Sequence, residues 1–539
     1  MQAEKPLRTP PETSLSELAR RAERDPRRVH VEDVDGRSLS YAETATEARR
    51  WAAVYRSIGV EPGEIVVTMQ NNTIDSLLGW YGLSWLGATE APVNVDYRAD
   101  LLVHALNLTR ARTMACLGQF VPRLLQVADR LEHLRQVVVL DDEEVPELPW
   151  RFWVASELLA GAEPADDLEL PAPWQIGAIL FTSGTTGPSK AVRLPWAQIV
   201  AMAQGAFLIE DLNADEVIYN PGPTYHVGSK CFPTLASLLG ARHVMRPWIS
   251  ESRIAEDYLR HGVTTGTAPR EWVLEPDAPE AVASALRNVL VPTMHPTFIP
   301  PRERRGWRTY STFNMTELSC PVGYPTWSAD RFDDRGRASQ GTVRPGYEVR
   351  IVDEHDQPLP PGEVGEIVFR SDIPWVLNAG YLNMPEPTAA AWQGGWFHTG
   401  DAGYLDGEGW FYFIDRLKDC IRRRGENISS FDVEMSVMAH PEVALAAAIA
   451  VKENDRPGAN EEVKVCCVRT EDSSLDGEGL VRWLIGKMPR FMVPRYVEFF
   501  DELPLTPTQK VRKVELRKVP LTERTFDRDA AGIEIPRDG

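Results

Sequence analysis

Cysteine is scarce in this chain, with six among 539 residues. Cys116, Cys231, Cys320, Cys420, Cys466 and Cys467 show no C-x-x-C spacing and no neighbouring histidine ligands. That pattern excludes a disulfide framework and a zinc site of ordinary spacing, and it makes each thiol read as a small buried hydrophobe. Long apolar runs are also missing. The longest, Val443 to Val451, is far too short to span a bilayer, and Met1 to Pro11 carries charges and prolines where a secretory leader needs an apolar stretch. No compact basic block interrupts the formal net charge of −20, so nucleic acid is not an expected partner. Internal repeats and low-complexity blocks are lacking as well. These absences predict a cytoplasmic protein with no membrane span.

The chain is longer than the size at which one hydrophobic core usually keeps growing, so at least two domains are expected. Short β-branched runs alternate with helical patterns, as in Glu64 to Met69 followed by Ile74 to Trp85, which predicts α/β architecture. From Gly341 to Arg370 the pattern changes to closely spaced strands with turns at Arg344-Pro-Gly346 and Pro360-Pro-Gly362. A large N-terminal domain of α/β subdomains plus a β-rich subdomain is therefore expected over residues 1–415. The charged stretch around Arg416 to Gly425 marks the boundary to a small, mobile α+β domain over 416–521. Residues 522–539 are charged and poor in large apolar groups, and read as a flexible tail.

The most informative segment is a short apolar strand, Gly177 to Phe181, that runs into Thr182, Ser183, Gly184, Thr185, Thr186, Gly187 and finally Lys190. Glycines let backbone N–H groups approach an anion, hydroxyls donate further hydrogen bonds, and lysine brings a mobile positive charge. Together they suit a polyphosphate. The segment is not the G-x-x-x-x-G-K-[ST] loop, because Ser189 precedes Lys190 and Ala191 follows it.

With this loop and six further segments in the same order, the chain resembles the ANL superfamily of adenylate-forming enzymes over nearly its whole length. That superfamily contains acyl-CoA synthetases, peptide-synthetase adenylation domains and luciferases, and the chain looks most like the fatty-acid and crotonobetaine/carnitine CoA ligase branch. Thr224-Tyr-His-Val-Gly228 resembles the aromatic and histidine segment at the acyl pocket, which implies pocket roles for Tyr225 and His226. Phe313-Asn-Met-Thr-Glu317 is similar to the segment whose aromatic ring stacks on adenine. By that resemblance Thr316 would contact phosphate, Glu317 would hold magnesium, and Asn314, standing where glycine is usual, would reach with Met315 toward the acyl site. Asp401, in Trp396-Phe-His-Thr-Gly-Asp401, would accept from both ribose hydroxyls, with Arg416 near the ribose and Lys418 as the hinge. Gly425, Glu426 and Asn427 match a loop that faces the site in coenzyme A ligases after the small domain turns. Lys510 matches the closing lysine that would contact the attacking carboxylate and the α-phosphate.

The resemblance implies ATP, Mg2+ and coenzyme A as reactants and cofactors, and a small-molecule acid as substrate. It leaves monomer and homodimer open. The family's Gly-Gly-x-Pro loop is replaced by Val291-Pro-Thr-Met-His-Pro296, where Met294 and His295 would narrow the pocket, and Lys230 would add a cation. These departures predict a small or anionic acid. Two alternatives stand beside acid–CoA ligation: transfer to an amine, including nitrite activation for N–N bond formation, and a catalytically silent nucleotide-binding homologue. Retention of Lys190, Glu317, Asp401, Arg416 and Lys510 together argues against the silent reading.

Overall fold

A computed structural model describes residues 12–182, 189–250, 252–267, 285–291, 303, 305–325, 331–333, 338–416, 420–423, 426–452, 461–471, 473–505, 511 and 513–536. The expected α/β class and its division into a large and a small domain are found. One seven-stranded sheet runs in the order Arg151–Val154, Gln136–Val139, Thr113–Cys116, Ile65–Met69, Thr89–Pro92, Ile176–Thr182 and Lys190–Pro195. Its strands are parallel except the last, which returns antiparallel to Ile176–Thr182. A nine-stranded sheet carries Val217–Asn220 and Arg242–Met245 near one end and Arg308–Phe313 toward the other.

The helix Ile74–Leu86 is buried at every residue but Asp75, and it contributes to the largest apolar cluster. A helix that is apolar all round belongs in the interior. Its ends are set locally. Thr73 and Ser76 exchange reciprocal capping bonds, and Gly87 ends it in the left-handed region at φ 80. The strand expected at Glu64 to Met69 is observed as Ile65–Met69.

The predicted β-rich subdomain is a sheet of Tyr347–Val352, Gly365–Ser371, Trp396–Leu405 and Trp392–Gln393, with Phe411–Arg416 paired to Trp396–Leu405. The small domain is built on Val443–Lys452, Glu461–Arg469, Tyr496–Phe500 and Phe526–Asp527. Alternate residues of Glu461–Arg469 enter different clusters, so the adjacent Cys466 and Cys467 pack on opposite sides. Burial pushes the Cys116 and Cys466 thiols up to about 12 and Cys320 to about 11, which keeps them protonated and unreactive.

The tail reading is corrected. Over 522–536 the chain adds the strand Phe526–Asp527 to the small-domain sheet, and Ile533 is 7% exposed within the core that also holds Val463, Val465 and Leu480. A sparse apolar pattern hid this, because two isoleucines and one phenylalanine are enough to anchor a segment whose backbone bonds a sheet edge. Among the described residues no helix is long and apolar enough to cross a membrane.

Candidate active site

Lys190 opens the strand Lys190–Pro195 and stands directly across from Thr182, its Cα partner in Ile176–Thr182. The glycine-rich segment therefore joins two antiparallel strands. Lys190 at its end begins a strand and not a helix. Thr182 is half-buried, whereas Ser183, Gly184, Thr185, Thr186 and Gly187 lie outside the described residues.

The free edge of the lysine strand is covered by residues 378–382. Arg193 N–H donates to Gly380 O at 3.0 Å, Ala379 N–H to Arg193 O at 2.9 Å, and Leu382 N–H to Ala191 O at 2.8 Å. This pairing sets Tyr381 beside Lys190, whose Nζ lies 4.5 Å from the ring centroid. The Tyr381 hydroxyl then donates to Glu317 Oε1 at 3.1 Å. Burial, followed by the Glu317 charge, pushes the phenol well above its ordinary pKa, so it remains a donor.

Glu317 is 4% exposed, and its backbone is held from two sides. Gln198 Nε2 donates to Thr316 O at 2.9 Å and to Leu318 O at 2.8 Å. Asn378 donates to Glu317 O through its backbone N–H at 3.1 Å and through Nδ2 at 3.0 Å. Asn378 Oδ1 accepts from Trp392 Nε1 at 3.1 Å and from Gly380 N–H at 2.9 Å. Two side-chain amides thus clamp residues 316–318 and fix the root of the carboxylate.

Phe313 ends the strand Arg308–Phe313 and is 7% exposed. Its ring packs against Phe411 at 5.0 Å and against Phe369 and Phe413 at 5.8 Å, which ties this strand to the β-rich subdomain. Asn314 follows the strand and helps to hold its own loop together. Its Oδ1 accepts from Cys320 N–H at 2.9 Å, closing the loop that carries Thr316 and Glu317. Short amide side chains readily satisfy nearby backbone donors in this way. Met315 packs partly buried against the main core.

Asp401 is 5% exposed on Trp396–Leu405, and its Cα is paired across the sheet with that of Arg416. The two residues expected at the ribose therefore start from opposed positions on neighbouring strands. Gly400 precedes Asp401 at φ 69, and Glu366 Oε1 accepts its N–H at 2.9 Å.

On the acid side, Thr224 Oγ1 donates to Gln70 O at 3.1 Å, and the Tyr225 and His226 rings meet edge to face at 5.0 Å. His226 is half-buried, and its carbonyl accepts from Ser229 Oγ at 2.7 Å. Lys230 is a correction. Its Nζ lies 2.5 Å from Glu90 Oε2, and the two residues are 2% and 0% exposed. An ammonium committed to a buried carboxylate is not available to an anionic substrate, so the argument for an anionic acid loses this support.

Met294, His295, Lys418, Gly425 and Lys510 lie outside the described residues, as do the side chains of Arg416, Glu426 and Asn427. Tyr381, Asn378, Gln198 and Glu90 escaped the sequence reading. Glu90 left a signal: an acidic residue inside the apolar stretch Ala88 to Val93, which becomes a strand buried at all four positions.

Among the described residues no group of three metal-ligating side chains occurs. One fixed carboxylate nevertheless fits Mg2+, which keeps several waters and takes its remaining oxygens from substrate phosphates. Glu317, with Lys190 one tyrosine away, is such a carboxylate.

The chain is similar to known proteins over most of its length. The family model of AMP-binding enzymes matches residues 18–382, and that of the AMP-binding enzyme C-terminal domain matches 432–510. Crotonobetaine/carnitine–CoA ligase of Escherichia coli strain ATCC 8739 is 29% identical over 499 residues, covering 89% of this chain and 93% of the relative. Among solved structures, a double mutant of o-succinylbenzoate CoA synthetase from Bacillus subtilis superposes with a TM-score of 0.80 at 20% identity, covering 96% of this chain and 99% of the other. An amide bond synthetase from Marinactinospora thermotolerans gives 0.78 at 24% identity, covering 94% and 99%.

Proposed function

We propose, from the premise that this chain belongs to the AMP-binding enzymes of the adenylate-forming ANL superfamily and is an ATP-dependent ligase, that it activates a small acid as its acyl-AMP and passes the acyl group to coenzyme A. The observation that carries this reading is the contact line from Lys190 through Tyr381 to Glu317, which unites three segments far apart in the chain.

Adenylation brings a carboxylate against a triphosphate, so the main task is cancelling repulsion where the new P–O bond forms. Lys190 and the loop amides hold the β and γ phosphates. Glu317 is the residue that would hold Mg2+, and the ion would neutralise phosphate oxygens when bound. Asp401 orients the ribose, and Lys510 contacts the attacking carboxylate and the α-phosphate. The carboxylate oxygen bonds to the α-phosphorus, the bond to the bridging oxygen breaks, and pyrophosphate leaves. In the second step the small domain turns near Lys418 and brings Gly425, Glu426 and Asn427 to the site. The thiol sulfur then bonds to the acyl carbon, the bond from that carbon to the AMP oxygen breaks, and the thiol proton is lost to solvent.

Acid-dependent ATP–pyrophosphate exchange over aliphatic, aromatic and amino-substituted acids plus nitrite tests the first step. Product mass spectrometry with and without coenzyme A tests the second. At least one small acid is expected to stimulate exchange and yield a thioester. Lys510→Ala is expected to suppress exchange by about a hundred to a thousandfold while transfer from a supplied acyl adenylate continues. An amide or N–N product formed without coenzyme A would replace the thioester reading, and silence across the whole panel would remove the catalytic one.

A further inference from the structure

Glu90 and Lys230 are separated by 140 positions and meet in the interior, where the sheet strand Thr89–Pro92 lies between Ile65–Met69 and Ile176–Thr182. Both carboxylate oxygens are used: Oε2 faces Lys230 Nζ at 2.5 Å, and Oε1 accepts from Thr68 Oγ1 at 2.8 Å. The ammonium also lies 4.3 Å from the centroid of Trp80. Trp80 in turn donates from Nε1 to Gly177 O at 2.7 Å and stacks on Trp196 at 5.2 Å. Gly177 belongs to the strand that enters the glycine-rich segment, and Trp196 begins the helix that follows the Lys190 strand. Glu90 itself is the Cα partner of Ala178 in that first strand. The ion pair is therefore rooted in the framework that presents Thr182 and Lys190.

Its other end is rooted on the acid side. Lys230 lies in the first turn of the helix Gly228–Leu239, directly after Tyr225 and His226. That helix starts at Val227 without any side-chain cap, so its position is not set by local capping chemistry. Ser229 Oγ lies 2.7 Å from both Thr224 O and His226 O, so its single hydroxyl proton serves these two carbonyls and draws residues 224–229 into one tight unit. Lys230 is the point at which this unit is bonded by a charge to the sheet.

A buried ion pair adds little net stability over a well-packed apolar pair of similar volume, but it does impose one geometry on the elements that carry it. We infer that Lys230 and Glu90 are positioning residues, whose ion pair sets the Thr224–Gly228 segment, with His226, at a fixed offset from the strand leading to Thr182 and Lys190. This rests on the acid-activation reading for its catalytic consequence, though not for its structural one. The offset determines how an acid bound against His226 is aligned with a nucleotide held by the loop, and reaction rate is steep in that alignment.

The test is the double variant Lys230→Met with Glu90→Met, which removes both charges and leaves neither one buried alone. It should melt within about 5 °C of the parent. Hydrogen exchange in peptides covering residues 221–230 should nevertheless speed up about tenfold, relative to unchanged peptides from Val443–Lys452 of the small domain. In pyrophosphate exchange the acid KM should rise about tenfold or more, with the ATP KM held within about twofold. Unchanged exchange at 221–230 would overturn the positioning role whatever the activity result. So would a double variant that melts far below the parent, because the pair would then be a stabilising element of the fold. A rise in ATP KM equal to that in acid KM would also overturn it. A parent with no acid-dependent exchange would instead remove the functional reading, leaving the amide-exchange result to decide the positioning role.

Discussion

Replacing Tyr381 by phenylalanine separates two contacts that one side chain makes. The ring can stay beneath Lys190, 4.5 Å from its ammonium, while the hydroxyl that donates to Glu317 at 3.1 Å is deleted. Glu317 is only 4% exposed, so water does not readily replace the lost donor. A hydrogen bond to a charged group contributes about 1.5 to 3 kcal/mol, and losing a bond that orients a metal-binding carboxylate typically weakens metal affinity about 10- to 100-fold. The assay is a Mg2+ titration of acid-dependent pyrophosphate exchange at saturating ATP and acid. Tyr381→Phe is expected to raise the half-saturating Mg2+ concentration about tenfold, equivalent to about 1.4 kcal/mol, with most of the maximal rate recovered at high metal. Tyr381→Ala also removes the ring under Lys190, a contact that contributes about 0.5 to 2 kcal/mol, and this should appear as a further rise in ATP KM. An unaltered Mg2+ requirement in Tyr381→Phe would refute the assignment of Glu317 as the metal carboxylate positioned by this hydroxyl.

Two further expectations concern stability. His30 and His243 are fully buried, and burial lowers each to about 3 from an ordinary 6.5; folded pKa values below the unfolded ones mean that stability is full above about pH 6.5 and declines as pH falls toward 3, by about 2 kcal/mol per histidine at pH 5. His243→Leu should remove about half of that histidine contribution to the loss of melting temperature between pH 7 and pH 5, and an unchanged pH profile would disprove it. In the small domain, Ile533→Ala should cost about 2 to 5 kcal/mol, read as a lower melting temperature and faster proteolysis of the C-terminal half. Wild-type behaviour would mean that the terminal segment is not anchored in solution.

The order of short motifs along the chain was sufficient to recognise the family. Periodicity was sufficient to place Ile65–Met69 and the helix from Ile74, because these signals lie within windows of a few residues. The cysteines were also legible: the reading as small buried hydrophobes holds for Cys116, Cys231, Cys320, Cys466 and Cys467, the five whose side chains are described. What each side chain touches was not legible, because partners come from distant parts of the sequence. Tyr381 reaches Glu317 across 64 positions, and Lys230 reaches Glu90 across 140. Asn314 accepts from Cys320 N–H within its own loop, a bond that residue type alone did not announce. Lys230, taken as a cation for substrate, is neutralised by an acid that only sheet packing brings within 2.5 Å. Residue type and spacing thus determined which chemistry the chain could carry, whereas long-range packing decided which charges remain for that chemistry and which ones are spent holding the protein together.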